Sequence, residues 1–275
     1  EHNRRTIVIS DIHGHRAWLE KLLKKVDFSE KDILIIVGDM IEKGPESLNT
    51  IRYIMELCEK YTVYPMMGNV DLWRIQMLLT EDGSLDQELY ETNERMRQFW
   101  KATFFQDLCR EAGVSAKTPE EIPAAREAVV AHFQRELTFM KELPTILVTP
   151  AFTFVHGGLV HEKLEDNFHL PPFQLLKNDN FINQGKHFDK YVVVGHWPVC
   201  LYRSDIESSA PYISEEQKII AIDGGCGIKR DDQLNALIIP DLYSEKTTWE
   251  SVDDFPEAVV LEDQEAGASS INIRY

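Results

Sequence analysis

The apolar positions of the chain fall into two rhythms. Short β-branched runs at residues 6–10 (TIVIS), 33–37 (ILIIV) and 62–67 are separated by stretches whose apolar residues recur every three or four positions. In residues 15–26 these are Trp18, Leu19, Leu22 and Leu23, and residues 47–60 repeat the spacing. The first rhythm predicts strands and the second predicts amphipathic helices. ILIIV is apolar throughout, as a strand covered on both faces must be. Strands alternating with helices predict a parallel sheet with right-handed crossovers.

The pattern changes between Asp71 and Pro144. Residues 86–110 and 119–142 read as long amphipathic helices rich in Glu, Gln, Arg and Ala. Trp100, Phe104, Phe105, Phe133 and Phe139 would form their apolar stripe, a helical packing face rather than an aromatic ligand box. Residues 71–144 are therefore expected to be a helical insertion or cap within a single domain spanning residues 1–275. Strands return at 145–148, 152–155, 191–194, 219–222 and 235–239, the first two close enough to form an antiparallel hairpin. Residues 253–270, acidic and rich in small side chains, read as a solvated end.

Composition narrows the classes. With 43% hydrophobic and 27% charged residues in 275, the chain is neither disordered nor too small to bury a large core. It has no apolar run of the roughly 18 residues that a membrane span needs. Acidic residues outnumber basic ones 46 to 29, for a formal charge of -17, and no basic patch interrupts them. Nucleic acid and membrane are thus excluded as expected partners, although a bound metal can reverse the sign inside a pocket. Cys58, Cys109, Cys200 and Cys226 show no CxxC spacing, which predicts reduced thiols and a cytoplasmic location. No signal peptide is visible.

The candidate chemistry lies at the ends of the predicted strands. TIVIS is followed by Asp11-Ile12-His13-Gly14, and ILIIV by Gly38-Asp39 and then Gly44. The third strand runs into Gly68-Asn69, the FTFV strand into His156-Gly157-Gly158, and YVVV into Gly195-His196. Alone, each is an ordinary turn, cap or loop histidine. Together they place Asp11, His13, Asp39, Asn69, His156 and His196 beyond the carboxyl ends of five strands, where open α/β sheets bind ligands.

Imidazole, carboxylate and amide donors in this mixture suit manganese, iron or zinc rather than calcium. Two divalent ions roughly 3.5 Å apart repel by about 20 kcal/mol even at an effective dielectric near 20. An anionic bridge must hold them, and Asp39 with a hydroxide is the expected pair. The hydroxide would also be the nucleophile, because metal binding lowers the pKa of water to about 7.

The ordered set DIHG, GDxxxxG, GN, HGG and GH resembles the calcineurin-like metallophosphoesterases, in particular bacterial relatives of the PPP-type serine/threonine protein phosphatases. Residues 222–226 (IDGGC) are similar to a later segment of the bacterial members. The resemblance implies an α/β fold, a four-layer αββα sandwich, and two divalent metal ions. Asp11, His13 and Asp39 would hold the first ion, and Asp39, Asn69, His156 and His196 the second. Pro198 stands where phosphodiesterase-type members carry a further histidine, which favours the PPP-like side.

Two departures bear on mechanism. The family's Asp-Arg before the glycine of the second motif is Glu42-Lys43 here, and the histidine after the asparagine is Val70. That histidine normally protonates the leaving group, which Val70 cannot do. Either His15 or His161 supplies the proton, or the substrate leaves without one. Lys43 would grip phosphate in place of the arginine, and Arg203 is a candidate for the missing bidentate fork. Asp39, Lys43, His161 and His15 are thus the expected catalytic residues, and Lys43 and Arg203 the substrate-binding ones.

The expected activity is a metal-dependent phosphomonoesterase whose substrate is a phosphoprotein or a small phosphate ester. The alternatives are a nucleotide or dinucleoside-polyphosphate hydrolase, or a catalytically weak scaffold of the same fold.

Overall fold

A computed structural model describes residues 4–79, 102–204, 208–226 and 233–253. The expected acidic end after Asp253, Trp100 and most of the segment at 86–101 lie outside the described residues. Among the described residues, ten strands form two five-stranded sheets. The first has the order β10-β9-β1-β2-β3, built from β1 (Thr6–Ile9), β2 (Ile33–Val37), β3 (Thr62–Met66), β9 (Gln233–Ile239) and β10 (Thr248–Asp253). The second has the order β4-β5-β6-β8-β7, built from β4 (Ile146–Val148), β5 (Phe152–Val155), β6 (Tyr191–Val194), β7 (Tyr212–Ser214) and β8 (Ile219–Ala221).

Strands β1, β2 and β3 run parallel, as do β5, β6 and β8. β4 and β5 form the expected antiparallel pair. The apolar pattern does not predict the outer strands β7 and β10: four of the six residues of TWESVD are polar, and its partner β9 supplies the apolar side. Alternation along each strand sorts side chains between layers. Val8, Ile33, Ile35 and Val37 face Phe152, Phe154, Val193 and Ile220 between the sheets. Ile7, Ile9, Leu34 and Ile36 turn to the opposite face and pack on helices.

Those helices are α1 (Arg16–Lys25), α2 (Ser47–Lys60), α3 (Asn69–Leu79), α4 (Thr103–Ala112), α5 (Ile122–His132) and α6 (Gln134–Lys141). Phe104, Phe105 and Phe133 are buried in the same core as α2 and β1, and Phe139 packs against it. The continuous helix expected over 119–142 is instead a 3-10 turn followed by α5 and α6, broken at Phe133, whose φ of -108° and ψ of 33° leave the helical region. The break lets Phe133 point inward while both helices stay amphipathic.

The second sheet is covered differently. Val155, Val192, Val194 and Ile219 pack under the short helix α7 (Pro172–Leu176) and 3-10 turns carrying Leu164, Phe181, Ile182 and Val199. The chain is thus a two-sheet α/β sandwich. Its four layers are helices, sheet, sheet, and a largely irregular covering.

Candidate metal centre

Every expected ligand leaves the carboxyl end of a parallel strand. Asp11 and His13 follow β1, Asp39 follows β2, and Asn69 opens α3 after β3. His156 follows β5 and His196 follows β6. The turns are tight: Asp11, His13, Asp39 and His196 have φ of 54°, 48°, 52° and 64°. Each such left-handed residue costs on the order of 1 kcal/mol, tolerated where the surroundings over-determine it. Glycines let the loops touch. A side chain at Gly68 would collide with the Asp39 amide, and one at Gly195 with the Asp11 carboxylate.

Two groups of donors result, sharing one residue. Asp11, His13 and Asp39 form the first, and Asp39, His156 and His196 the second. His13 Nε2 lies 3.8 Å from Asp11 Oδ1 and 3.7 Å from Asp39 Oδ2. His156 Nε2 lies 3.3 Å from Asp39 Oδ1 and 3.1 Å from Asn69 Oδ1. Both rings are oriented from behind, His13 Nδ1 on the Ile41 carbonyl at 3.1 Å and His156 Nδ1 on the Val37 carbonyl at 2.8 Å. This fixes the tautomer that turns each Nε2 inward, as metal-bound histidines require.

The electrostatics of the cluster suits a cation. Asp11 is buried; its Oδ2 accepts the His196 amide at 3.0 Å, while Oδ1 has no hydrogen-bond partner. Burial, then the charge of Asp223, pushes the Asp11 carboxyl well up. Burial also pushes Asp39 up, but the charges of His156, His13 and Lys43 hold it well below the usual carboxylate range. Burial would lower His156, yet Asp39 and Asp11 raise it to about 10. The carboxylates thus retain a proton on a fully buried ring for want of another positive charge. Burial and the nearby Lys43 ammonium instead lower His13 to about 3, and burial and His156 lower His196 to about 4, leaving both imidazoles neutral and able to donate a lone pair. Donors about 2.1 Å from a common ion at roughly right angles lie about 3 Å apart, close to the spacings observed. The residues present fit divalent metal.

Lys43 stands at this centre, its Nζ 2.6 Å from His13 Nε2 and its backbone at φ 64°. One lone pair on that nitrogen serves the ammonium or a metal, not both. His15 caps α1 from the same loop, with Nδ1 3.1 Å from the Ile12 carbonyl and 3.5 Å from Cys226 Sγ. The other two expected residues are not brought together with these. His161 is exposed, and its backbone is held by Asn167. Arg203 directs its guanidinium to the carbonyls of Ser208, Ala210 and Pro211 and lies over the Tyr212 ring, closing its own loop.

Sequence reasoning missed several supports. Asp71, fully buried, accepts the Met40 and Gly68 amides at 3.1 and 3.0 Å and so ties the Asp39 loop to the Asn69 loop. Burial and the charge of Asp39 raise its carboxyl to about 7. Asp223 is buried with Oδ2 unpartnered, next to Asp11 in charge. Glu42 takes Arg74 Nε at 2.7 Å and the Thr103 amide and hydroxyl at 3.0 and 3.1 Å. Both oxygens of this carboxylate are thereby engaged by α3 and α4. Asp179 lies 2.6 Å from His196 Nε2, and Lys177 Nζ 3.5 Å from the same atom. Asp71 left a sequence signal as a carboxylate two residues after Asn69, and Glu42 and Asp223 stood within motifs already singled out, but Asp179 and Lys177 left none.

A two-sheet sandwich whose strand ends converge on paired Asp/His/Asn donors defines the class of metal-dependent phosphoesterases. The family model for calcineurin-like phosphoesterase matches residues 4–220, and the chain belongs to that family. Among curated relatives, the symmetrical bis(5'-nucleosyl)-tetraphosphatase of Buchnera aphidicola subsp. Schizaphis graminum is 45% identical over 65 residues, 23% of this chain and 23% of that protein. The similarity thus spans about a quarter of the relative's length. Among solved structures, a protein described as a candidate diadenosine tetraphosphatase aligns over 91% of this chain and 94% of its own, with TM-score 0.56 and 19% identity. A serine/threonine phosphatase from Saccharomyces cerevisiae aligns over 94% and 82%, with TM-score 0.51 and 10% identity. At these identities the structural likeness concerns the fold.

Proposed function

We propose that the chain hydrolyses the phosphoanhydride of a dinucleoside polyphosphate, with two divalent ions held by the groups that meet at Asp39. The observation that carries a hydrolytic centre is the shared Asp39, one oxygen toward His13 and the other toward His156. The relatives' names favour this substrate over the phosphoprotein, and so does Val70. Its side chain packs against the core, and its amide donates to Asp39 Oδ1 at 2.9 Å. A position with no acid suits a leaving group that needs none. A nucleoside diphosphate leaves as the anion of an acid with pKa about 6, whereas a serine side chain leaves as a far stronger base.

Bound ions would supply an activated water and neutralise charge on the phosphoryl oxygens. The chain's own groups do the positioning. His13 and His156 present Nε2 from rings fixed on backbone carbonyls, and Asn69 fixes the far side of His156. Lys43 offers an ammonium to the phosphoryl oxygens at the mouth of the first group, acting as a point charge without the fork of an arginine. Attack of water at phosphorus breaks the central P–O bond of a tetraphosphate. The bridging oxygen leaves with one nucleoside diphosphate, and the second carries the new hydroxyl oxygen.

The test is product analysis after incubation with manganese. Diadenosine tetraphosphate should yield ADP as its nucleotide product, and a phosphoserine peptide should release little phosphate. Phosphate from the peptide with the dinucleotide intact would overturn the reading. Metal bound without turnover of either would assign a binding scaffold instead.

A further inference from the structure

A dinucleoside polyphosphate carries bases as well as phosphates, and the donors described above account only for the phosphates. The wall beside the second donor group is aromatic. Trp73 lies one helical turn after Asn69 on α3, so both occupy the same face, and a helical side chain leans back toward the preceding turn. Its ring is 6.3 Å from that of Phe173, at an interplanar angle of 31°. Phe173 is 41% exposed, so its ring is open to a ligand while still touching Trp73. It belongs to α7, whose Leu175 carbonyl accepts the amides of Gly157 at 2.9 Å and Gly158 at 3.1 Å. The ring is therefore carried by the helix that holds the loop of His156.

The same helix brings a charge. The Lys177 amide donates to the Phe173 carbonyl at 2.9 Å, which places the two residues one turn apart. Lys177 Nζ, ion-paired with the Asp179 carboxylate that it would exchange for phosphate, is 3.5 Å from His196 Nε2. One short element thus presents an aromatic face and, a turn later, an ammonium at the edge of the metal centre. We infer that Trp73 and Phe173 form a stacking platform for one nucleobase of the substrate, with Lys177 gripping the polyphosphate between that base and the metals. Stacking on an aromatic face accepts any base, so the platform selects nucleotides over plain phosphate esters without reading base identity. The inference rests on the proposed dinucleoside-polyphosphate reading and names the part of the site that recognises the nucleoside.

The experiment compares Phe173→Ala and Phe173→Tyr with wild type on diadenosine tetraphosphate and on inorganic tripolyphosphate, a phosphoanhydride with no ring to stack. Phe173 is exposed, so neither change opens a core cavity. The alanine variant should raise KM for the dinucleotide about tenfold and leave kcat/KM for tripolyphosphate within about twofold; each tenfold is about 1.4 kcal/mol. The tyrosine variant should behave as wild type. Equal changes on both substrates, or none on either, would overturn the platform. A second arm titrates metal-free protein with AMP by calorimetry, where Phe173→Ala should weaken binding about tenfold. AMP binding unaffected by the substitution would also overturn it. Wild type that cleaves tripolyphosphate but not the dinucleotide would remove the proposed substrate alone, and the AMP titration would then decide the platform.

Discussion

The two halves of the sandwich deliver their candidate ligands by the same device and secure them by different means. In the half built on β1, β2 and β3, the sheet is covered by α1–α6, and large side chains such as Phe104, Phe105 and Phe133 pack against it fully buried. Its candidate ligands Asp11, His13, Asp39 and Asn69 are themselves buried. In the half built on β5, β6 and β8, the covering is loops, 3-10 turns and one short helix. There a polar residue does what hydrophobic packing does opposite. Asn167, wholly buried, accepts the amides of Val160 and His161 at 2.8 and 3.0 Å and donates to the carbonyls of His161 and Lys163, both at 2.9 Å, and Leu164 at 3.3 Å. His196 is the least enclosed member of the second donor group, its side chain 8% exposed beside the exposed Asp179. The difference teaches that regular helices and apolar packing hold one half's loops, while the other half adds a buried polar clamp to a covering of loops and short turns.

The largest effects should come from testing whether the halves meet at Asp39. Asp39→Asn removes an anion common to both donor groups and should lower hydrolysis by about 1,000-fold or more, roughly 4 kcal/mol in the barrier, with metal content falling toward zero. His196→Ala alters the second group alone. Atomic absorption should find about one metal fewer per chain, with the remainder retained. Loss of all metal from this variant would mean the centre does not divide along the two halves.

Stability should separate the coverings next. Phe104→Ala empties a site in the helical core and should cost about 3–5 kcal/mol in chemical denaturation. Asn167→Ala strands several backbone groups and should cost about 2–3 kcal/mol, with faster hydrogen exchange confined to residues 160–168. Uniform exchange across both sheets would erase the proposed contrast.

The smallest effect lies far from the centre, where Arg5 holds Asp32 with two hydrogen bonds of 2.9 and 2.8 Å. Burial raises the Asp32 carboxyl, but Arg5 and Ser29 outweigh it and hold the carboxyl below its ordinary value. A depressed carboxyl stabilises the fold above its unfolded pKa of about 4, and that contribution disappears as pH falls through the folded value. With Arg5 about a third exposed, the contribution should be about 1 kcal/mol or less, read as a shallower acid limb for Asp32→Asn in denaturation from pH 6 to pH 3.

The gathering of Asp11, His13, Asp39, Asn69, His156 and His196 was legible because each follows a short apolar strand closely, and chain order then fixes the end of the sheet at which it emerges. The parallel cores of both sheets were equally legible from their apolar runs. β10 was not, since TWESVD alternates too weakly to stand apart from a loop and becomes a strand only against β9. The single helix expected over 119–142 broke because the helical period carries no information about whether Phe133 must turn inward.

By itself, the sequence determined which side chains gather at the strand ends and which chemistry they can support, since local periodicity and strand-end turns are encoded within a few residues. Tertiary structure alone decided which neighbours they have. Glu42 meets Arg74 and Thr103 from 32 and 61 positions away, Asp71 laces two loops together, and Phe173 comes to rest against Trp73. Such contacts form only when the sheets pack and distant turns converge. A linear pattern therefore shows the donors, while three-dimensional packing decides what surrounds them and what they can recognise.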